Sequence, residues 1–174
     1  MVLNIHSDAS YLSKARAQSI VAGYFYLGES PVDGQPITLN GAVYVFGGIL
    51  KSVVASAAEA ELGALFINYK AGKVIRLVLQ ELGHPQPPIP VHYDNQTAVG
   101  IANETVKKQR SRSMEMRFVW VTDQVQRAFF DVRWHPGQEN MVTTSQNTLM
   151  QNIIERYAHG IYMNTTHPVV CQEQ

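Results

Sequence analysis

The chain has 174 residues, the length of one domain, and 45% of them are hydrophobic, which is enough to form a substantial core. Fourteen basic and fourteen acidic side chains give a formal net charge of zero. This balance excludes a polycationic protein, so any nucleic-acid site must come from a local patch. The single cysteine, Cys171, excludes an internal disulfide, and no apolar stretch is long enough to span a bilayer. We therefore expect one intracellular domain over residues 1–174 with no membrane contact.

Three strands are predicted in the first third of the chain, at Val2–His6, Ile20–Leu27 and Ala42–Phe46. The segment Glu29–Asn40, with two prolines and a glycine, is typical of a hairpin loop. A continuation of the third strand to Val54 would pass a glycine pair at 47–48, which indicates a bulge. Short connections between successive strands predict an antiparallel meander.

The hydrophobic period becomes helical from Ser56 to Leu82, and Gly83 supplies the stop. The predicted apolar face of this helix consists of Ala60, Ala64, Ile67, Ala71, Val74, Val78 and Leu82.

A fourth strand is predicted where Ile89, Val91 and Tyr93 alternate with other residues after a proline-rich loop. Asp94 follows this strand, and a helical pattern covers Asn95–Asn103. An acid at the carboxyl end of a strand lies where α/β sheets bind ligands. Taken alone, an Asp at the end of a strand is more often a helix cap or a turn former.

A further helix is predicted from about Met114 to Ala128, with Phe118, Trp120 and Val121 in the core, followed by a strand over Phe130–Trp134. The predicted fold class is α/β (an α+β mixed sheet). It has five strands, three antiparallel and then two parallel, and helices flank the sheet.

Asp8 follows the first predicted strand, and Glu61 lies near the start of the long helix among small alanines. If the first and fourth strands are neighbours, Asp8 and Asp94 lie side by side, and Glu61 can reach them from the helix. Three adjacent carboxylates repel each other unless a cation lies among them. Oxygen ligands without histidine or cysteine favour Mg²⁺ or Mn²⁺.

Five ordered motifs between positions 4 and 141 resemble the ribonuclease H domain of copia-type retrotransposon polyproteins. They are Ser-Asp-Ala-Ser at 7–10, Ser-Ala-Ala-Glu-Ala-Glu-Leu at 56–62, Tyr-Asp-Asn-Gln-Thr-Ala at 93–98, Arg-Ser-Arg-Ser-Met-Glu-Met-Arg at 110–117 and Trp-His-Pro-Gly-Gln-Glu-Asn at 134–140.

The resemblance implies a ribonuclease H-like fold and catalytic, metal-binding acids at Asp8, Glu61 and Asp94, with Glu59 as the alternative to Glu61. Two divalent ions would act on the RNA strand of an RNA–DNA hybrid and leave a 5′ phosphate. A reverse transcriptase domain in the parent polyprotein is the implied protein partner, and a virus-like particle is the implied location in an active element.

Nucleic-acid contacts are predicted around the third motif and the basic segment that follows it. The candidate residues are Asn95, Gln96, Lys107, Lys108, Arg110 and Arg112. The alternatives are a solvated loop for the basic segment and a helix cap for Asn95. His135 is a further catalytic candidate, for proton transfer or product release, and its alternative is an ordinary surface histidine.

The pattern breaks at position 143, where the family expects a fourth acid and this chain has Thr143. A hydroxyl cannot replace an anionic ligand, so binding of the second ion weakens, and Glu139 would compensate only if its loop bends inward. The chain is therefore predicted to be a weakened ribonuclease H. The alternatives are an inactive module that binds nucleic acid, itself or a protein partner, and, less in keeping with the motif order, a DNA nuclease of the integrase or resolvase type.

The tail Val142–Gln174 diverges from the family, and we hypothesise a single-nucleotide loss near codon 141 as the cause. Codons for Met141–Met150 can be chosen so that the shifted frame reads Gly-Asp-Tyr-Gln-Ser-Lys-His-Leu-Asn, which is the expected continuation. The tail still predicts a helix over about Thr148–His159, whose apolar side would cover the sheet or mediate self-association.

Overall fold

The computed structural model describes residues 1–14, 17–32, 35, 40–103 and 115–135. Its elements in chain order are β1 (Val2–Lys14), β2 (Gln18–Gly28), β3 (Ala42–Ile49), α1 (Ala57–Glu81), β4 (Ile89–Tyr93), α2 (Gln96–Ala102), α3 (Glu115–Gln126) and β5 (Phe130–Trp134). The predicted tail helix, the basic segment 107–112 and position 143 lie outside the described residues.

The five strands form one mixed sheet in the order β3-β2-β1-β4-β5. β1, β2 and β3 pair in antiparallel fashion, whereas β4 runs parallel to both β1 and β5. The predicted sheet of three antiparallel and two parallel strands is therefore confirmed. β1 and β4 are neighbours, so the condition on which the proposed acid cluster depends is met.

β1 is longer than predicted, and Asp8 lies within it and not after it. The parallel pairing of β1 with β4 extends from Ile5 to His6. Its antiparallel pairing with β2 continues through Ser10, and Lys14 pairs with Gln18. The strand continues past Asp8 because β2 supplies hydrogen bonds beyond the end of the β4 pairing.

β3 has no bulge at its glycine pair, where the sequence predicts one. Gly47 and Gly48 keep regular register opposite Ala22 and Val21. The register shifts near the start of β3, where Phe25 pairs with Tyr44 and Tyr26 pairs with Ala42, so the extra residue is Val43. β3 continues past the glycine pair, as predicted, but it ends at Ile49 and does not reach the predicted end at Val54.

α1 begins and ends as its sequence predicts. Ser56 is the N-cap, and its hydroxyl accepts a 3.2 Å hydrogen bond from the Glu59 N–H, while the Glu59 carboxylate accepts one of 2.8 Å from the Ala55 N–H. Gly83 follows the helix with a φ of 85°, a conformation that favours glycine.

The buried face of α1 differs from the predicted one in the second half of the helix. Val74, Val78 and Leu82 are exposed, and the helix approaches the sheet through a smaller residue, Gly72. A Cβ at Gly72 would lie 2.7 Å from Cδ1 of Ile5 on β1. The absence of this side chain permits the close approach, which turns the larger aliphatic residues away from the sheet.

The core lies between the sheet and the helices. Tyr69 of α1 stacks on Phe130 of β5 with 3.8 Å between ring centroids, and Phe66 contacts Trp120 of α3 edge-on at 5.1 Å. Val121 is buried, and Phe118 and Trp120 pack against the core, as predicted. Of the helices in the described part of the chain, none has the length and hydrophobicity required to cross a membrane.

Asn68 connects α1 to two strands through its buried side-chain amide. Its Nδ2 donates 2.8 Å hydrogen bonds to the Ser7 hydroxyl on β1 and to the Ala22 carbonyl on β2. A Cβ added at Gly23, next to Ala22, would lie 2.3 Å from Oδ1 of Asn68.

Gly23→Ala is therefore expected to lower the free energy of unfolding by roughly 3 kcal/mol, because Asn68 must move and lose both buried hydrogen bonds. Urea unfolding measures the change. Gly41→Ala is the control, because a Cβ at Gly41 would have no atom within 4 Å. Equal stability of the two variants would show that the Asn68 contacts contribute little.

Candidate active site

Two of the predicted acids lie at the same level on neighbouring parallel strands. Ile5 pairs with Val91 and His6 with His92, so the register, continued by two residues, brings Asp8 level with Asp94. Asp94 directly follows β4 and is half-buried, while Asp8 is buried inside β1. The Asp8 carboxylate accepts a 2.8 Å hydrogen bond from the Ala9 N–H.

Glu61 reaches this edge from the second turn of α1, and its side chain is buried. The Tyr93 hydroxyl, from the last residue of β4, contacts the Glu61 carboxylate and lies 3.0 Å from the Glu61 main-chain carbonyl. The Asn95 side chain lies near enough to the Glu61 carboxylate to lower its pKa. Tyr93 and Asn95, the two sequence neighbours of Asp94, therefore both act on Glu61.

Burial is the largest cause that raises the pKa of the Glu61 carboxyl from 4.5 to about 8. The hydrogen bond with Tyr93 lowers this pKa, the negative charges of Asp8 and Asp94 raise it, and the hydrogen bond with Asn95 lowers it. The influence of both aspartates on Glu61 shows that the three predicted acids are brought together. Glu59, the alternative to Glu61, instead contributes to the N-terminal cap of α1.

The donor set of these three acids, hard and anionic oxygens only, fits a divalent cation such as Mg²⁺. Among the described residues, no group of three or more His, Cys, Asp or Glu side chains has an arrangement that could hold a metal ion. The contact between Glu61 and Tyr93 is consistent with this finding, because it directs a carboxylate oxygen toward the phenol. The chemistry of the acids therefore fits an ion, whereas their present side-chain arrangement does not form a metal site.

Asn95 acts as a helix cap, which was the alternative to its nucleic-acid role. Its Oδ1 accepts hydrogen bonds of 3.0 and 3.1 Å from the Thr97 and Ala98 N–H groups at the start of α2. Gln96 is exposed beside it. The nucleic-acid contacts of Asn95 and Gln96 stay predictions, as do those of Lys107, Lys108, Arg110 and Arg112.

His135 lies at the end of β5 beside a row of buried histidines. Its main-chain N–H donates a 2.8 Å hydrogen bond to the Tyr93 carbonyl, and its ring contacts His92 edge-on at 4.8 Å between centroids. The next ring is His6, at 4.9 Å from His92. The structure thus places His135 beside the strand that leads to Asp94, and its catalytic role stays a prediction.

The pKa of His92 is lowered from 6.5 to about 2, mainly by burial and in addition by the charges of His6, His135 and Arg133. The folded chain therefore keeps His92 neutral, while the unfolded chain binds a proton below pH 6.5. This contribution to stability is complete above pH 6.5 and is lost as the pH falls toward 2.

We expect the His92 contribution to the free energy of unfolding to decrease by roughly 2 kcal/mol as the pH falls from 6.5 to 4.5. His92→Gln keeps an amide that can donate to the Asn4 side chain, which lies 3.3 Å from His92 Nε2, and should remove this loss. The stability of the variant relative to the parent should therefore rise by roughly 2 kcal/mol over the same pH range. His84→Gln, at an exposed position, is the control for urea unfolding at each pH. Parallel profiles of His92→Gln and the parent would exclude the predicted contribution of His92.

Tyr93 is the site residue that the sequence reasoning missed, because it was assigned only to the alternating apolar face of β4. The sequence signal that could have identified Tyr93 is the residue type, because a tyrosine at the end of a buried strand carries a hydroxyl group that needs a hydrogen-bond partner.

No protein-family model matches the chain, and a comparison with curated protein sequences found no significant match. Several solved structures have a similar fold. LC11-RNase H1, isolated from compost by a metagenomic approach, aligns with a TM-score of 0.58 and 12% identity over 88% of this chain and 98% of its own. The same enzyme in complex with an RNA/DNA hybrid gives a TM-score of 0.56, with 11% identity over 87% of this chain and 99% of its own.

RNase H1 from the halophilic archaeon Halobacterium salinarum NRC-1 aligns with a TM-score of 0.52 and 16% identity, over 80% of this chain and 89% of its own. These identities are too low to carry residue roles or substrates from one chain to the other. The structural alignments, together with the strand order and the parallel β1–β4 pair, establish the architecture. The chain has a ribonuclease H-like fold.

Proposed function

We propose that this protein is a ribonuclease H-type endonuclease that hydrolyses the RNA strand of RNA–DNA hybrids, with activity reduced by the substitution at Thr143. The observation that carries the proposal is the convergence of Asp8, Glu61 and Asp94 at one edge of a ribonuclease H-like sheet. One neighbour with this fold was solved with an RNA/DNA hybrid, which supports the substrate class. The ordered motifs support an origin in a copia-type element, in which a reverse transcriptase domain would be the partner.

Asp8, Glu61 and Asp94 would hold Mg²⁺ or Mn²⁺. When bound, such ions activate water and stabilise the charge that develops on phosphate oxygens. Tyr93 and Asn95 would orient the Glu61 carboxylate, in the way that hydrogen-bonded residues around a metal site orient its ligands. The high pKa of Glu61 means that a cation must displace its proton near neutral pH, so ion binding should release protons.

Substrate binding would depend on residues at and beyond the start of α2. Lys107, Lys108, Arg110 and Arg112 form a local basic segment in a chain of zero net charge, and such side chains contact phosphates. Gln96, exposed at the first position of α2, would contact the sugar or base edges of the hybrid.

The second candidate function is an inactive module of the same fold that binds nucleic acid without cleaving it. Two points favour it: position 143, where the resemblance implies a fourth acid, is a threonine, and the described acids do not form a metal site in their present arrangement. Both functions predict hybrid binding, and only the first predicts cleavage.

The test uses one labelled RNA–DNA hybrid for binding and for cleavage, in Mg²⁺ and in Mn²⁺. For the enzyme, cleavage occurs and Asp94→Asn reduces its rate at least about 100-fold while hybrid binding persists. Binding without cleavage would support the inactive module. The absence of both would contradict the proposal, provided that circular dichroism shows a folded protein.

A further inference from the structure

The face of α1 that points away from the sheet carries an unusual number of exposed aliphatic side chains. Val74, Leu77, Val78 and Leu82 are 63%, 58%, 52% and 67% exposed. They follow one another within nine residues of one helix, so they form a continuous patch and are not isolated surface residues. The opposite face of α1 packs on the sheet through Leu65, Asn68 and Gly72.

Two charged residues complete this patch at its ends. Lys70, Val74, Leu77 and Glu81 are spaced by four, three and four residues, and all four are exposed. At 100° per residue they fall within an arc of about 60°, so they form one straight stripe along the helix. The stripe begins with a positive charge, continues with two aliphatic residues and ends with a negative charge.

When the stripe is reversed, each charged residue takes the place of the residue with the opposite charge, and each aliphatic residue takes the place of the other aliphatic residue. If two α1 helices pack antiparallel about a two-fold axis between positions 75 and 76, Lys70 of each helix lies opposite Glu81 of the other. Val74 of each helix then lies opposite Leu77 of the other. A two-fold interface needs this property, because the same patch must serve both subunits.

The site of the proposed enzyme stays open in such a pair. Glu61 belongs to the face of α1 that packs on the sheet, about 160° around the helix from Leu77. Asp8 and Asp94 lie beside it on the sheet. Dimerisation through the stripe would therefore not cover the three acids. The surface also differs from the tail Val142–Gln174, for which the sequence predicts self-association.

We propose that the chain forms a homodimer through antiparallel packing of the α1 stripe Lys70–Val74–Leu77–Glu81 against the same stripe of a second copy. Val78 and Leu82 extend the apolar contact along one flank. The contact involves a single helix from each subunit, so it belongs to the small, weak class of interfaces. Its register depends on the two Lys70–Glu81 pairs.

Sedimentation equilibrium of the full chain at roughly 5–500 µM and at low and high salt measures the dimer. We expect a monomer–dimer equilibrium that weakens with salt, and only monomer in Leu77→Glu. Lys70→Glu and Glu81→Lys each place like charges opposite each other twice and should weaken the dimer roughly tenfold. The double variant Lys70→Glu with Glu81→Lys restores opposite charges in the same register and should recover most of the parent affinity.

The control is Val53→Glu, which changes an aliphatic residue that is 91% exposed and lies outside α1. It should leave the dimer unchanged, and thermal unfolding should show that all variants fold, since each changed side chain is exposed. A monomeric parent at the highest concentration would overturn the proposal. It would also be overturned if the single charge reversals leave the dimer dissociation constant unchanged, or if the double variant dimerises as weakly as the single ones. Either result would indicate that the dimer forms through another surface.

Discussion

Glu61→Gln is expected to raise the free energy of unfolding by roughly 3 kcal/mol at pH 8.5 and to change it little at pH 4.5. The Glu61 carboxyl has a pKa of about 8 in the folded chain, against an ordinary value of 4.5, mainly because it is buried. The folded state therefore keeps a proton that the unfolded chain loses. The contribution of this group to stability is complete below pH 4.5 and is lost as the pH rises toward 8.

Glutamine has no charge to desolvate, and its amide oxygen can still accept the Tyr93 hydroxyl. The matched control is Glu59→Gln, two positions earlier in α1, where the amide oxygen can still accept the Ala55 N–H. Urea unfolding in a chelating buffer at both pH values measures the difference. A gain that is identical at pH 4.5 and pH 8.5 would contradict an ionisation effect and would indicate altered packing.

Glu61 and His92 together define the pH range of maximal stability. The Glu61 contribution decreases above pH 4.5, and the His92 contribution decreases below pH 6.5. Between these values the two changes oppose each other, so a plateau is expected there, with losses on both sides.

Thr143→Asp is expected to increase the rate of hybrid cleavage by a factor on the order of 100, because it restores an anionic ligand for the second ion. The prediction depends on the resemblance to copia-type ribonuclease H domains, since position 143 lies outside the described residues. Thr144→Asp is the matched control, because it adds the same charge one residue away. Initial rates at saturating Mg²⁺ measure the effect.

Equal activation by the two substitutions would contradict a specific ligand role for position 143. Failure of both would be expected if the whole tail, and not one residue, departs from the family. The hypothesis of a lost nucleotide near codon 141 has its own test in the genomic DNA. It is wrong if the codons for residues 141–165 cannot be read as the expected continuation in the shifted frame.

The sheet was predictable because each strand has a strong local signal and the connections have the expected lengths. Ile89, Val91 and Tyr93 alternate over the five residues that form β4. The inward face of α1 was less predictable, because hydrophobicity favoured Val74 and Val78. In the structure, close approach at Gly72 decides which face of the helix packs on the sheet. A small residue is a weak signal in a hydrophobicity pattern, although it permits the closest packing.

The candidate site was predictable to the extent that it follows from topology. Parallel pairing of β1 and β4 brings Asp8 level with Asp94, and this adjacency could be expected from the element order. The contact of Tyr93 with Glu61 could not, because it depends on the rotation of α1 and on side-chain conformation.

The proposed ribonuclease H activity is tested most directly by mapping the strand and the chemical ends of the products that the parent chain forms from an RNA–DNA hybrid. We expect cuts in the RNA strand alone, with 5′-phosphate and 3′-hydroxyl ends, that require Mg²⁺ or Mn²⁺ and disappear in Asp94→Asn. Cuts in the DNA strand, cyclic phosphate ends, or cleavage that persists in Asp94→Asn or in a chelator would contradict it.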